Sequence, residues 1–203
     1  DSHGVFSGHA LSVGGELMLF YTGNSRIGSE RARLTTQCVA ISSDGQNFEK
    51  LGPVIDQLPD GVTPHIRDPK IIHSNGEWLM LLGAQTTELL GRLAVYRSDD
   101  LKSWRFDQLY GDELGDFGYM WECPDYFELN GQGFLMFGPQ GINAEFASNT
   151  VPHHNRIAFA EFDESNRLHL ANPQVIDYGF DFYVPQTLVT PDGRRVMCGW
   201  MGL

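Results

Sequence analysis

A chain of 203 residues, 41% of them hydrophobic and 12% aromatic, can bury one sizeable core, which argues against an intrinsically disordered protein. Its 14 basic and 26 acidic residues give a formal net charge of −12. Nucleic acid and anionic membrane surfaces require a basic patch, so both are poor partners for this chain. No apolar run approaches the ~18 residues of a membrane-spanning helix. We therefore expect no nucleic-acid partner and no membrane partner.

Short β-rich runs alternate with turns of Gly, Pro, Asn and Asp along the chain, as is typical of an all-β protein. One kind of run, an apolar strand that contains polar residues, occurs four times, as VFSGHAL (5–11), HIRDPKII (65–72), MWECPDYF (120–127) and FYVPQTLV (182–189). The copies recur every 55 to 61 residues when they are aligned on Phe6, Ile66, Trp121 and Phe182.

Two further kinds of strand follow each copy in a fixed order. An apolar strand that ends in a small-residue turn comes next, at 16–24, 77–85, 133–141 and 194–202. A strand closed by a turn and an aromatic residue follows at 38–48 and 93–104, with a looser copy at 157–168. This period predicts the blades of a β-propeller; the alternative is a β-sandwich with accidental internal resemblance. The count gives three blades and the start of another, so we expect a part of a longer propeller.

Polar residues recur at similar places in the first strand of each predicted blade. If the blades run from the inside outwards, these strands line the central channel, and their polar groups converge on one axial pocket. Convergent polar groups in an apolar cleft are the default hypothesis for a ligand site. The residues concerned are Ser7, His9, Arg67, Asp68, Glu122 and Gln186.

Glu122 lies between Trp121 and Cys123 in an otherwise apolar strand. Loss of water disfavours the charged form of a carboxyl, so we expect Glu122 to hold its proton and to donate it near neutral pH. The alternative is a structural glutamate that is paired with an arginine.

Asp68 follows Arg67, whose positive charge favours the ionised carboxylate, so we expect Asp68 to stay charged. The alternative for this pair is a solvated turn ahead of Pro69. Two carboxyls with opposite protonation states are typical of a site that cleaves glycosides.

Four aromatic residues on or near the first strands fit a sugar ligand, because ring faces stack on the apolar faces of sugars. Each of them could equally belong to the core. They are Phe6, Trp121, Tyr183 and Trp200. The histidines and cysteines lack the spacing of a metal site, so we expect no metal; a phosphate-binding glycine loop and a serine nucleophile elbow are also absent from the sequence.

The segments FSGHA, HIRDPKI, MWECPD and DFYVPQT, in this order and spacing, resemble glycoside hydrolase family 32. This family contains the invertases, sucrose-6-phosphate hydrolases, levanases and inulinases, which cleave β-fructofuranosides. The resemblance implies an all-β, five-bladed β-propeller and a retaining mechanism that needs no cofactor. It implies that residues 1–203 form a partial catalytic domain, roughly blades 2 to 4 and the start of blade 5, without the first blade and the C-terminal β-sandwich.

The resemblance also assigns roles to individual residues. Glu122 matches the family's general acid/base, and Asp68 matches the aspartate that holds fructose hydroxyls and stabilises the transition state. The substrate-binding residues that it implies are Phe6, Ser7, Arg67 and Trp200. The family's nucleophile is an aspartate in a Trp-Met-Asn-Asp-Pro-Asn-Gly motif, which does not occur in this sequence. We therefore expect the chain alone to be inactive.

The predicted activity of the parent enzyme is hydrolysis of the terminal β-fructofuranosidic bond of sucrose or sucrose 6-phosphate, a small carbohydrate substrate. The alternatives are a fructan hydrolase or fructosyltransferase on the same scaffold, or a non-catalytic sugar-binding propeller. A phosphorylated substrate would require basic residues at the pocket rim, for which the candidates are Arg26, Arg33, His153 and Arg156. The resemblance to bacterial sucrose hydrolases favours a cytoplasmic over a secreted protein.

Overall fold

The computed structural model of the chain describes residues 2–142, 153–179 and 181–202. The first antiparallel sheet pairs β1 to β4 in chain order, at Val5–Val13, Glu16–Ile27, Ala32–Ser42 and Glu49–Ile55. The second pairs β5 to β8 in the same way, at Val62–Ser74, Glu77–Thr86, Gly91–Ser98 and Arg105–Tyr110.

The third sheet pairs β9 to β12, at Met120–Leu129, Gln132–Gln140, Arg156–Phe162 and Leu168–Val175. Two more strands, β13 and β14, pair with each other at Tyr183–Val189 and Arg195–Trp200. The prediction of three four-stranded blades and the start of another is confirmed. The described helical structure is a single 3-10 turn at Asp112–Leu114, and no helix in the described ranges could cross a membrane.

The first strand of each sheet lies innermost, as predicted. β1 contacts β5, β5 contacts β9, and β9 contacts β13, so the four strands lie side by side around one axis. This arrangement brings the recurrent polar residues of these strands to a common centre.

Apolar side chains fill the spaces between neighbouring sheets, and β6 contributes to two of these layers. Met80 and Leu82 pack in the same cluster as Phe20 of the first sheet, whereas Leu81 packs in the cluster of Trp121 in the third sheet. Successive strand side chains point to opposite faces, so the unbroken apolar run of β6 is buried on both sides. Each fully buried leucine contributes roughly 1.5–3 kcal/mol, and this packing fixes the blades against one another.

A β-bulge interrupts each innermost strand. The last paired residues before the four bulges are Phe6, Arg67, Glu122 and Tyr183. In three strands the residue that follows has a positive φ and precedes a proline, with φ of 65° at Asp68, 46° at Cys123 and 42° at Val184. Such a conformation costs non-glycine residues of order 1–3 kcal/mol and is concentrated at functional sites.

The register corrects the sequence alignment in the first blade. Phe6 was aligned with Ile66, but it occupies the position of Arg67, because both are the last paired residues before a bulge. The other three strands are aligned correctly with one another, so only the first blade is shifted, by one residue. The polar positions that face the centre are therefore those of Arg67, Glu122 and Tyr183.

Candidate active site

The bulges of the innermost strands surround one open cavity of about 550 Å³. Five of the six residues that the sequence assigned to catalysis or substrate binding line it, namely Phe6, Ser7, Arg67, Asp68 and Glu122. The structure thus brings together polar groups from three blades that are up to 115 positions apart in the sequence, from Ser7 to Glu122.

The residues just before the bulges contact one another from blade to blade. Arg67 donates to Oε1 of Glu122 from Nη2 at 2.6 Å and from Nε at 3.1 Å. Tyr183 donates its hydroxyl to Oε2 of the same carboxyl at 2.7 Å. The Arg67 guanidinium also lies 5.8 Å from the centre of the Phe6 ring. Both oxygens of Glu122 are therefore held by side chains at the equivalent position of the two adjacent blades.

Tyr183 serves as a lasting hydrogen-bond donor in this arrangement. Burial, together with the negative charge of Glu122, raises the pKa of Tyr183 far above its ordinary value. The phenol therefore keeps its proton at any pH at which the protein would work. From the sequence, Tyr183 was expected only as an aromatic ring that could stack on a sugar, and its contact with Glu122 was not predicted.

The surroundings of Glu122 differ from the apolar strand that the sequence suggested. Its neighbour Trp121 points to the opposite face, where it is fully buried, stacks on Phe137 and donates Nε1 to the Phe117 carbonyl. The arginine-paired glutamate considered as an alternative is what the structure shows. The side chain of Glu122 nevertheless remains 19% exposed and lines the cavity, so it can reach a ligand.

Asp68 lies within the bulge of β5 and is almost completely buried. Its Oδ2 accepts a hydrogen bond from the backbone N–H of Cys123 at 3.0 Å, and its own N–H donates to Thr22 Oγ1 at 3.0 Å. Burial raises the pKa of Asp68 to about 6, against the opposing effects of the Cys123 N–H and Arg67. The sequence prediction weighed only the arginine, so its direction was wrong, although most of the carboxyl stays ionised at pH 7.

The two carboxyls meet at Arg67. Its Nε lies 3.1 Å from Oε1 of Glu122 and 3.9 Å from Oδ2 of Asp68. The distance between these two oxygens is at most the sum of the two distances to Nε. It therefore lies below the upper end of the roughly 5–9.5 Å seen for glycosidase carboxyl pairs. Both carboxyls can therefore contact the same ligand in the cavity.

A glycine allows the second and third blades to approach this closely. Gly83 is the cross-strand partner of Arg67 in β6, and its Cα faces the carbonyl oxygen of Trp121. A Cβ at this position would overlap that oxygen. The close approach places Glu122, the next residue of β9, within reach of Arg67.

A second set of contacts ties the same strands together below the cavity. Lys70 Nζ lies 2.5 Å from Asp125 Oδ1, and Asp125 Oδ2 accepts a hydrogen bond from the Thr187 N–H at 2.7 Å. Gln186, which the sequence directed to the pocket, donates Nε2 to the Cys123 carbonyl at 2.9 Å. These residues follow the bulges and hold the strands in place.

His9 and Trp200 do not line the cavity. The Nδ1 atom of His9 accepts a hydrogen bond from the Ile71 N–H at 3.2 Å, and burial, followed by the charge of Lys70, lowers the pKa of His9 to about 4. Trp200 is paired with Tyr183 across β13 and β14, is 68% exposed and donates Nε1 to the Gly202 carbonyl. A substrate contact of Trp200 stays a prediction.

Arg33, a candidate for the pocket rim, lines the cavity, and sequence reasoning did not assign three further lining residues to it, namely His65, Tyr119 and Gln140. His65 had an available signal, since it precedes Arg67 by two positions and residues two apart on a strand share a face. Within the part of the chain that the structure describes, no group of three or more His, Cys, Asp or Glu residues is placed to hold a metal ion.

The model of the glycosyl hydrolases family 32 N-terminal domain matches residues 1–203. The chain belongs to glycoside hydrolase family 32. A probable sucrose-6-phosphate hydrolase of Psychromonas ingrahamii is 62% identical over 203 residues, which cover all of this chain and 37% of that protein. The sucrose-6-phosphate hydrolase of Bacillus subtilis is 42% identical over 209 residues, covering 100% and 43% of the two chains. The chain thus spans about two fifths of the length of these relatives.

Solved structures of family 32 enzymes share the fold. Sucrose-6-phosphate hydrolase from Lactobacillus gasseri superimposes with a TM-score of 0.89 at 31% identity, over 100% of this chain and 42% of that one. A mutant β-fructofuranosidase from Bombyx mori, solved in complex with sucrose, gives 0.86 at 36% identity, over 98% and 43%. These neighbours are five-bladed β-propellers, and the blades described above belong to that fold.

Proposed function

We propose that this chain forms the part of a β-fructofuranosidase that binds the fructosyl unit and protonates the leaving group, with sucrose or sucrose 6-phosphate as the substrate. The observation that carries the proposal is the placement of Glu122, held by Arg67 and Tyr183, in one cavity with the buried carboxyl of Asp68. The names of the Bacillus and Lactobacillus relatives support a sucrose ester, and the Bombyx complex supports sucrose itself.

Glu122 has the accessibility and the partners that a general acid/base needs. Its proton passes to the glycosidic oxygen as the bond to fructose breaks, and the same carboxylate then takes a proton from the attacking water. Arg67 and Tyr183 fix the direction of the carboxyl and stabilise the charge that remains after the proton has left.

Asp68 suits a different task, because its carboxyl is buried and fixed by the backbone N–H of Cys123. A fixed carboxylate can accept hydrogen bonds from fructose hydroxyls and can stabilise the positive charge that develops on the sugar ring. Asp68 and Glu122 are the only carboxylates among the described residues that line the cavity. Double displacement requires a further carboxylate on the opposite face of the sugar, so we expect no turnover by the 203 residues alone.

A chimaera tests this proposal. The 203 equivalent residues of the Psychromonas ingrahamii relative are replaced by this chain, and hydrolysis of sucrose and sucrose 6-phosphate is followed by NMR. We expect the chimaera to release fructose with retained anomeric configuration and the 203-residue chain to release none. Turnover by the 203-residue chain would refute the assignment of roles. Fructosyl transfer or fructan cleavage instead of hydrolysis would identify one of the alternative activities, and sugar binding without turnover would identify a binding module.

A further inference from the structure

A group of basic side chains lies on one side of the cavity, and we call Arg26, Arg33 and His65 the cationic rim. Arg33 and His65 line the cavity together with Glu122. Arg26 is the direct cross-strand partner of Arg33 in the β2–β3 hairpin. Of the four residues that the sequence offered as phosphate ligands, Arg33 thus lines this cavity and Arg26 lies opposite it on the neighbouring strand, whereas Arg156 lines a different cavity.

The two arginines of the rim lack acidic partners within residues 2–142, 153–179 and 181–202. The hydrogen bond of the Arg33 side chain goes to the neutral amide of Asn24, from Nη1 to Oδ1 at 3.3 Å. Arg67, by contrast, is neutralised by Glu122. Like charges directly opposite each other on neighbouring strands destabilise a sheet. The pair therefore concentrates uncompensated positive charge in a chain whose formal net charge is −12.

This crowding of positive charge contributes to lowered pKa values of two rim side chains. Burial and then the charges of Arg26 and Arg67 lower the pKa of Arg33. Burial and then the charges of Arg33, Arg67 and Arg26 lower the pKa of His65, against the opposing charge of Glu122. An anion bound among these side chains would oppose both shifts, so the rim is built to gain from a negatively charged ligand.

The position of the rim relative to the acid defines which part of a substrate it can reach. The Phe6 ring lies 5.6 Å from the Arg33 guanidinium and 5.8 Å from that of Arg67, which binds Glu122. The leaving group must lie beside Glu122 to receive its proton. Because Arg33 lines the same cavity as Glu122, a substituent on the leaving group can extend towards Arg33.

We propose that Arg26, Arg33 and His65 bind a phosphate monoester carried by the leaving sugar, an inference that rests on the proposed function. Guanidinium groups form paired, charge-assisted hydrogen bonds with phosphate oxygens, and an imidazole adds a further donor when it is protonated. The rim selects the phosphorylated substrate over the plain sugar, whereas Asp68 and Glu122 have the same roles with both substrates.

The test compares sucrose 6-phosphate with sucrose in the chimaera and in its Arg33→Gln and Arg26→Gln variants. We expect each substitution to lower kcat/KM for sucrose 6-phosphate by about 10- to 100-fold and to change the value for sucrose by no more than about threefold. The matched control is Arg31→Gln, which removes an exposed arginine from the turn of the same hairpin and should leave both substrates unchanged. Equal losses on both substrates, or no loss on either, would overturn the proposal.

A binding measurement separates this proposal from the proposed activity. Sucrose 6-phosphate, sucrose and inorganic phosphate are titrated into the 203-residue chain by calorimetry. We expect the phosphate ester to bind at least about tenfold more tightly than sucrose, and Arg33→Gln to abolish the difference. Equal affinities for the two sugars would overturn the phosphate site even if the chimaera hydrolyses both. A chimaera without turnover would overturn the proposed activity, but it would not decide whether the chain binds sucrose 6-phosphate more tightly than sucrose. If inorganic phosphate binds as tightly as sucrose 6-phosphate, the rim recognises the free anion rather than the ester.

Discussion

The inner strands of the second and third blades carry the same backbone feature with different chemistry. In β5 the bulge places Arg67 and then Asp68 before a proline, and in β9 it places Glu122 and then Cys123 before a proline. Asp68 and Cys123 share the left-handed backbone conformation. The repeated backbone therefore determines where functional groups can be placed, and the residue at each position determines what they do.

The two positions also differ in how they hold a carboxyl. Asp68 occupies the bulge itself, where it is buried and bonded to backbone, whereas Glu122 comes one residue earlier and is held by two side chains at the edge of the cavity. The first position holds a carboxyl in one fixed place, and the second favours a group that exchanges protons with a ligand. Three substitutions test this distinction.

The largest effect is expected from Glu122→Gln in the chimaera, which removes the proton donor and keeps the shape. Turnover of sucrose should fall by about 10²–10⁴, while an aryl fructoside with an activated leaving group should lose far less, because that group departs without a proton. Steady-state kinetics on the two substrates measure the difference, with the exposed Glu164→Gln as the control. Equal losses on both would contradict the role of general acid.

Asp68→Asn should stabilise the folded chain near neutral pH. The pKa of Asp68 is about 6 in the folded state, above the value of about 3.9 in an unfolded chain, so the folded state binds this proton more tightly and the charged form costs stability. The cost is full above about pH 6 and disappears as the pH falls to about 4. An amide at this position can still accept the Cys123 N–H and removes a cost on the order of 3 kcal/mol.

Denaturant unfolding of the 203-residue chain between pH 4 and pH 8 measures this effect. The gain from Asp68→Asn should be largest at pH 7–8 and should vanish near pH 4, whereas the exposed Asp99→Asn should show no such trend. A loss of stability at pH 8 would mean that the carboxylate is better compensated than its burial indicates.

The smallest effect is expected from Tyr183→Phe, which removes one of the two partners of Glu122 and leaves the bonds from Arg67 intact. One lost hydrogen bond to a carboxylate should lower kcat of the chimaera on sucrose about three- to tenfold, with little change in KM. The exposed Tyr178→Phe provides the control. A loss as large as that of Glu122→Gln would place Tyr183 in the proton transfer itself.

The repeat of blades could be predicted from the sequence because strand periodicity and turn residues are local signals. The apolar run at 77–85, for example, predicted a strand, and the structure has β6 there. The register of the first blade was not predictable in this way, because its bulge lacks the proline that marks the other three. Without that proline, Phe6 was aligned with Ile66 instead of Arg67.

The site was predictable as a set of residues but not as a set of contacts. The motifs brought Asp68 and Glu122 to one pocket, since equivalent strands of a propeller share an axis. The sequence did not show the depth at which Asp68 is buried, and that depth reversed the direction of its pKa shift. It also did not show that Arg26 faces Arg33, which depends on where the β2–β3 hairpin turns.

The absence of a side chain at Gly83 allows the second and third blades to approach each other closely at the cavity. A Cβ at this position would overlap the Trp121 carbonyl oxygen, so the second and third blades approach more closely than a side chain would allow. A methyl group there would push the strand that carries Glu122 outwards and lengthen its 2.6 Å bond to Arg67. One glycine in a neighbouring strand thus keeps Glu122 within hydrogen-bond distance of Arg67.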